Sequence, residues 1–180
     1  IINTKKITSP ASGEITSDIT LVGADLATVT INALTSTVTD EFDVAGAPNS
    51  DIWGFDIGKG TDGWGNKELQ YYTDHSDNVV VKDGMLKITA VSESYQGSAY
   101  TSARLKTQGK FEQKYGRFEA RIKLPTGQGT FPAFWMLPTD NTYGFWPNSG
   151  EIDIMENGSE THVGIFRVAA CVRRRRLVHG

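Results

Sequence analysis

One cysteine, Cys171, stands in 180 residues. No internal disulfide can staple this chain, and a lone thiol neither supports nor excludes an oxidising compartment. Charge of one sign is equally scarce. The net charge is −3, which leaves no strong field to draw the chain to nucleic acid or to a membrane surface. No apolar run approaches the length of a transmembrane span. The first residues, Ile1-Ile2-Asn3-Thr4-Lys5-Lys6, offer neither an initiator methionine nor an apolar signal core, so the chain is expected to be the interior of a longer precursor. His75, His162 and His179 each lack a second His or Cys at ligand spacing, which argues against zinc. No long stretch carries a helical stripe, so an α-helical core is excluded as well.

What is present is the pattern of a β protein long enough for one domain with a real core. Residues 1–39 are rich in Thr, with Ser and Ala. Within them Thr28-Val29-Thr30-Ile31-Asn32 alternates like one strand, and the segment reads as linker or the remnant of an upstream β-module. From Asp40 the texture changes to short strands and turn signals. Residues 78–82 and 85–90 form a hairpin pattern about an Asp83-Gly84 turn. Residues 103–107 lead through Gln108-Gly109 into another strand. Residues 117–124 alternate strictly, apolar at even positions and charged at odd ones, as a half-buried antiparallel strand does. The apolar run Phe131-Pro132-Ala133-Phe134-Trp135-Met136-Leu137 predicts a strand buried on both faces. The fold class is all-β, a two-sheet sandwich.

The stretch Gly150-Glu151-Ile152-Asp153-Ile154-Met155-Glu156-Asn157 places three carboxylates within six residues. On a strand Glu151 and Asp153 share one face while Ile152 and Ile154 take the other. Met155 breaks the alternation, and a β-bulge there turns Glu156 back onto the carboxylate face. Acids in a row repel one another. Acid–base chemistry makes use of that, because neighbouring carboxyls push each other's pKa values apart. Two blander readings compete: clustered acids are commonly solvated surface, and Asp and Glu oxygens suit calcium. The intervening Ile, Ile and Met argue against a calcium loop, and the apolar run upstream argues against plain surface. The residues alone leave catalysis and surface both open.

Gly150-Glu151-Ile152-Asp153-Ile154-Met155-Glu156 resembles the catalytic signature of family-16 glycoside hydrolases, in the bulged form of laminarinases (endo-β-1,3-glucanases). Further blocks resemble that family in its order: Asp40–Asp43, Gly63-Trp64-Gly65-Asn66-Lys67-Glu68-Leu69-Gln70-Tyr71-Tyr72, Tyr100–Leu105, Tyr115–Arg121 and Trp146–Gly150. The resemblance runs from about Asp40 to about Gly158. It implies a β-jelly roll of the concanavalin A type whose concave face is a cleft. It further implies Glu151 as nucleophile, Glu156 as general acid/base with a raised pKa, and Asp153 as the helper that holds the pair in geometry. In the retaining mechanism the two carboxyls lie about 5–5.5 Å apart, whereas four strand steps span about 13 Å, so the resemblance also implies a curved strand.

Sugar rings stack their C–H faces on aromatics and bond their hydroxyls to polar groups. By motif position Trp135 and Trp146 would line the subsites, and Asn66 and Arg104 would bond hydroxyls. Core packing is the competing reading for Trp135, which sits in an apolar run, more than for Trp146, which sits among loop residues. Trp53 and Trp64 read as packing, with Trp64 also placed to wall the cleft. At Phe131 the family usually has Trp, so an indole donor is lost. Some relatives hold a structural calcium using groups near Glu41 and Gly84 and an acid near the family's C-terminus. The last has no counterpart here, so no metal or other cofactor is expected.

Beyond Gly158 the resemblance ends. Residues 159–180, with Arg173-Arg174-Arg175-Arg176, read as a tail outside the family pattern, and residues 40–158 as a partial hydrolase domain, incomplete at the C-terminus. As given, the chain is expected to be a poor enzyme and a poorly stable domain. Its substrate would be a β-1,3 or β-1,3/1,4 glucan, met outside the cell by a secreted monomer. A non-catalytic β-glucan-binding protein, or a hydrolase of agar or carrageenan, is the alternative.

Overall fold

The computed structural model describes residues 2–3, 38–158 and 165–172, the first and last of these as backbone strands. The Asp83-Gly84 turn is the simplest case of sequence dictating geometry. Asp83 and Gly84 have φ of 58° and 67°, the left-handed pair that a two-residue hairpin turn requires. Lys82 and Met85 exchange backbone hydrogen bonds across it, at 2.9 and 3.2 Å. The turn joins β4 (Val79–Val81) to β5 (Leu86–Ile88), with Val81 opposite Leu86.

This hairpin is one end of a five-stranded sheet. β1 (Ile2–Asn3) lies between β5 and β9 (Gly116–Lys123), and β12 (Ile165–Val172) pairs along the whole of β9, giving the order β12-β9-β1-β5-β4. β9 alternates as its sequence predicts. Ala120, Ile122 and, one step past its end, Leu124 are buried, while Arg117, Arg121 and Lys123 are exposed.

Two shorter sheets pack on that layer. In the first, β2 (Gly54–Asp56) pairs with β8 (Arg104–Lys106). Its Phe55 and Leu105 pack against Phe42, Val79, Val81 and Leu86. In the second, β10 (Ala133–Met136) pairs with β11 (Ile152–Glu156). Its Phe134 and Met155 pack against Ala120, Ile122 and Leu124. Because strand side chains alternate, the residues next to these core contacts, Asp56, Arg104 and Trp135, point to the opposite face. A third group holds β3 (Gln70–Tyr72), β6 (Val91–Tyr95) and β7 (Ser98–Ser102), with β7 in the middle. Beneath it Asn78, almost fully buried, accepts from the Thr73 hydroxyl and donates to the Thr89 carbonyl and the Thr101 hydroxyl. Buried polar groups are tolerable when satisfied in this way.

Three expectations need correction. The run 131–137 is not buried on both faces: β10 is only its middle, and Phe131 and Leu137 are about half exposed among the described residues. Alternation explains this, since only Phe134 of the run reaches the packed layer. β8 does not lead through Gln108-Gly109 directly into another strand. Residues 107–111 fold back through bonds from the Lys110 and Phe111 amides to the Thr107 carbonyl, and the next strand begins at Gly116. The hairpin strands are also shorter than their patterns, since β5 ends at Ile88 and the Thr89 amide turns to the Asn78 carbonyl. The strand expected at 28–32, together with His162, His179 and the four arginines, lies outside the described residues.

Candidate active site

The bulge lies between β10 and β11, one residue before the Met155 at which the sequence predicts it. Phe134 faces Met155 but Trp135 faces Asp153, so Ile154 is the extra residue on β11. An unbulged strand would put Asp153 and Glu156, three steps apart, on opposite faces. With one residue absorbed, Asp153 lies opposite Trp135 and Glu156 opposite Ala133. Trp135 and Ala133 are two apart on β10, so both acids share their face.

Glu151 joins them from just before the strand. Its carboxyl is held above the ordinary carboxylate value. Partial loss of water is the largest cause, followed by the charge of Asp153 and a hydrogen bond with it, with a smaller push from Glu156. The Trp146 indole donates a hydrogen bond to Glu151 that acts the other way, because a donor favours the ionised form. The resemblance implies an ionised Glu151; in the structure its carboxyl is pushed upward, first by loss of water and then by Asp153 beside it.

Trp146 is 69 % exposed on the loop between β10 and β11, as its Gly- and Pro-rich neighbourhood suggests. Trp135 is half-buried, and its ring is covered by a cation: the Arg104 guanidinium carbon lies 4.8 Å from its centroid. The same guanidinium lies 4.4 Å from the Trp64 ring, so Arg104 is stacked between two indoles. Its Nε donates to Asp56 at 3.1 Å. Trp64 is half-buried against this guanidinium and the Tyr72 ring, and Trp53 packs, stacked on Phe42 with its N–H given to Asp40 at 2.8 Å.

Trp64 stands on a turn that the sequence writes with glycines. Asp62, Gly63, Trp64 and Gly65 all have left-handed φ, which for an aspartate and a tryptophan costs about 1–2 kcal/mol each. A Cβ on Gly60 would come within 2.4 Å of the Trp64 ring, so only glycine fits beneath it. After this turn Glu68 gathers three donors: Asn66 Nδ2 at 3.3 Å, Gln70 Nε2 at 2.5 Å and the Tyr72 hydroxyl at 2.7 Å. Burial and the Glu68 charge push the Tyr72 phenol far above its ordinary value, so it remains a donor at neutral pH. The Tyr72 ring leans on Trp64 at 5.8 Å.

The seven residues singled out in the sequence therefore form one connected set. It runs from Asn66 through Glu68, Tyr72 and Trp64 to Arg104 and Trp135, then across the ladder to Asp153 and its two neighbouring acids, with Trp146 on Glu151. Asp56, Glu68 and Tyr72 join this set without being among the seven. Glu68 and Tyr72 lie inside a quoted motif and could have been found there. Asp56 has no local signal, because only strand register brings it to Arg104.

Among the described residues no group of three His, Cys, Asp or Glu side chains is placed to hold a metal ion. Glu41 has one buried oxygen without a hydrogen-bond partner among them. The described residues include no helix long and apolar enough to cross a membrane.

The family model for glycosyl hydrolases family 16 matches residues 66–166, more than half of the chain. The chain belongs to glycosyl hydrolase family 16. It is 54% identical over 128 residues to the beta-glucanase of Rhodothermus marinus, an overlap of 69% of this chain and 42% of that protein. To glucan endo-1,3-beta-glucosidase A1 of Niallia circulans it is 50% identical over 101 residues, covering 52% of this chain and 15% of that one. Among solved structures, the laminarinase from Rhodothermus marinus superposes with a TM-score of 0.63 at 55% identity, over 66% of this chain and 47% of that chain. The sandwich is therefore the jelly roll of this family. The chain spans less than half the length of these relatives. The family match reaches residue 166, past the Gly158 where the sequence resemblance ends.

Proposed function

We propose that this site hydrolyses internal β-1,3-glucosidic bonds of polysaccharides, with retention of configuration. The observation that carries the reading is the bulge on β11, which gathers Asp153 and Glu156 on the Trp135 face beside Glu151. Glu151 attacks the anomeric carbon as its carboxylate, and the Trp146 N–H supports that ionised form. Glu156 donates its proton to the departing glycosidic oxygen, so the bond breaks as the glycosyl–Glu151 ester forms. Glu156 then takes a proton from water, and the hydroxide attacks the same carbon and releases Glu151. Asp153, hydrogen-bonded to Glu151, fixes that carboxyl between the two steps. Trp135 and Trp146 supply flat faces for sugar rings, and Asn66 and Arg104 supply N–H donors for hydroxyls.

The names of the relatives favour β-1,3-glucan over other chains, and mixed β-1,3/1,4-glucan is the close second. A polysaccharide does not enter a cell intact, so the place of action is outside it, reached by secretion as a monomer. The organisation proposed is a hydrolase domain over residues 40–158 whose main sheet also takes β1 and β12 from the flanking segments. The test is release of reducing ends by the full-length protein from laminarin, mixed-linkage glucan, agar and carrageenan. Release from laminarin first is expected. Release only from agar or carrageenan would overturn the substrate. Tight laminarin binding with no release would make the protein a glucan receptor.

A further inference from the structure

Arg104 raises a question of its own. A guanidinium stacked between two indoles is attracted to both ring faces, yet stacking alone does not fix where along those faces it rests. The long side chain has several torsions free to turn. Something must pin it, and the partner is Asp56. The two residues sit directly opposite each other on β2 and β8. Arg104 Nε donates to Asp56 Oδ2 at 3.1 Å, and the other carboxylate oxygen receives Lys106 Nζ. Both side chains of the Asp56–Arg104 pair are only about one-fifth exposed, 18% and 20%, so water competes weakly for the bond.

We propose that Asp56 is a positioning residue for the glucan cleft, holding Arg104 at one setting between Trp64 and Trp135 and so fixing the sugar platform beside the acids. The proposal rests on the glucan reading given above. Its geometric logic is a relay of short contacts. The Nε bond sets the plane and depth of the guanidinium. That cation in turn sets the spacing of Trp64 and Trp135, at 4.4 and 4.8 Å from its carbon. Trp135 lies across the ladder from Asp153, so an indole that drifts carries the bound sugar away from the carboxyls. With Nε committed to Asp56, the terminal guanidinium nitrogens are the ones left to meet hydroxyls. Asp56 itself touches no substrate in this scheme. Lys106 serves as the internal contrast, since it shares the carboxylate but reaches neither indole.

The experiment uses the full chain with Asp56→Ala, Asp56→Asn, Asp56→Glu and Lys106→Ala. Two readouts are taken: near-UV circular dichroism of the tryptophans without sugar, and calorimetric binding of a β-1,3-linked glucose tetrasaccharide. Loss of the charged bond in Asp56→Ala and Asp56→Asn is expected to weaken binding by about tenfold and to change the tryptophan bands. Asp56→Glu should restore much of both, and Lys106→Ala should stay within about twofold of the parent. Should Asp56→Ala fail to fold, Asp56→Asn, which keeps the shape, carries the test. Parent-like bands and affinity in Asp56→Asn would overturn the proposal, as would an equal loss in Lys106→Ala. A parent chain that binds no tetrasaccharide would overturn the glucan reading instead. The near-UV bands would then decide alone whether Asp56 sets the indole pair, unchanged bands in Asp56→Asn counting against it.

Discussion

The β4–β5 hairpin and the β10–β11 hairpin are both rich in large apolar residues, yet they treat them in opposite ways. Around the first, Phe42, Val79, Val81 and Leu86 are buried almost completely, and even the polar Thr73, Asn78 and Thr101 satisfy one another. Around the second, Phe131, Leu137, Phe145, Trp146 and Ile152 all remain exposed among the described residues, next to three acids on one face. The difference teaches that hydrophobic composition does not decide burial here. What decides it is which face of each strand meets the packed layer, and that is set by register and by one bulge.

The sharpest way to break this comparison is to remove the acids. Glu151→Ala is expected to stop turnover of every substrate. Glu156→Ala should lower laminarin hydrolysis by about 10²–10⁴-fold while sparing aryl glycosides, whose good leaving groups need little protonation. Neither change should move folding stability by more than about 0.5 kcal/mol, because both side chains are exposed. Steady-state kinetics on the two substrate types, with urea unfolding alongside, measures all of this. Equal loss by Glu156→Ala on both substrates would refute the division of roles.

The packed hairpin should respond in the reverse sense. Phe42→Ala removes a ring that is 2 % exposed and stacked on Trp53, and it should destabilise the fold by about 3–5 kcal/mol. Phe131→Ala, on the half-exposed run, should cost about 1 kcal/mol or less. Urea midpoints of the two variants compare the regions directly, and equal losses would erase the contrast.

The smallest effect is one of pH. Glu151 has a folded-state pKa raised above its ordinary 4.5, so the folded form holds that proton more tightly than the unfolded form. The stabilisation from this group is full below the ordinary value and is lost as pH rises through the folded one. Glu151→Gln abolishes the titration, so relative to the parent it should gain stability between about pH 4 and pH 7. Urea midpoints at both pH values test the sign. A relative loss over that interval would contradict the electrostatic account of the acid face.

Much of this was legible in the residues. The Asp83-Gly84 turn, the alternation of β9 and the need for a bulge before Glu156 all follow from local pattern, because each is settled by a few neighbouring side chains. The seven candidate residues were nameable through motif resemblance, and contacts and strand register connect them in space. The exposure of Phe131 and Leu137 was not legible, since seven apolar residues in a row look the same whether one face or two will be covered. The Asp56–Arg104 bond was hidden for a related reason. The two residues are 48 apart in sequence, and only the β2–β8 register makes them neighbours. The shift on Glu151 depends first on how much water it loses and then on how closely Asp153 approaches it, which spacing along a strand does not specify.

The central claim is that the carboxyls gathered by the β11 bulge act as a retaining pair on β-1,3-glucan. Proton NMR of the earliest product released from laminarin by the full-length protein tests it most directly. The account predicts that the β-anomer appears first and the α-anomer grows in only by mutarotation. An α-anomer formed first would mean that water, and not Glu151, attacks the sugar, with carboxyls about 6.5–9.5 Å apart, and that would contradict the account.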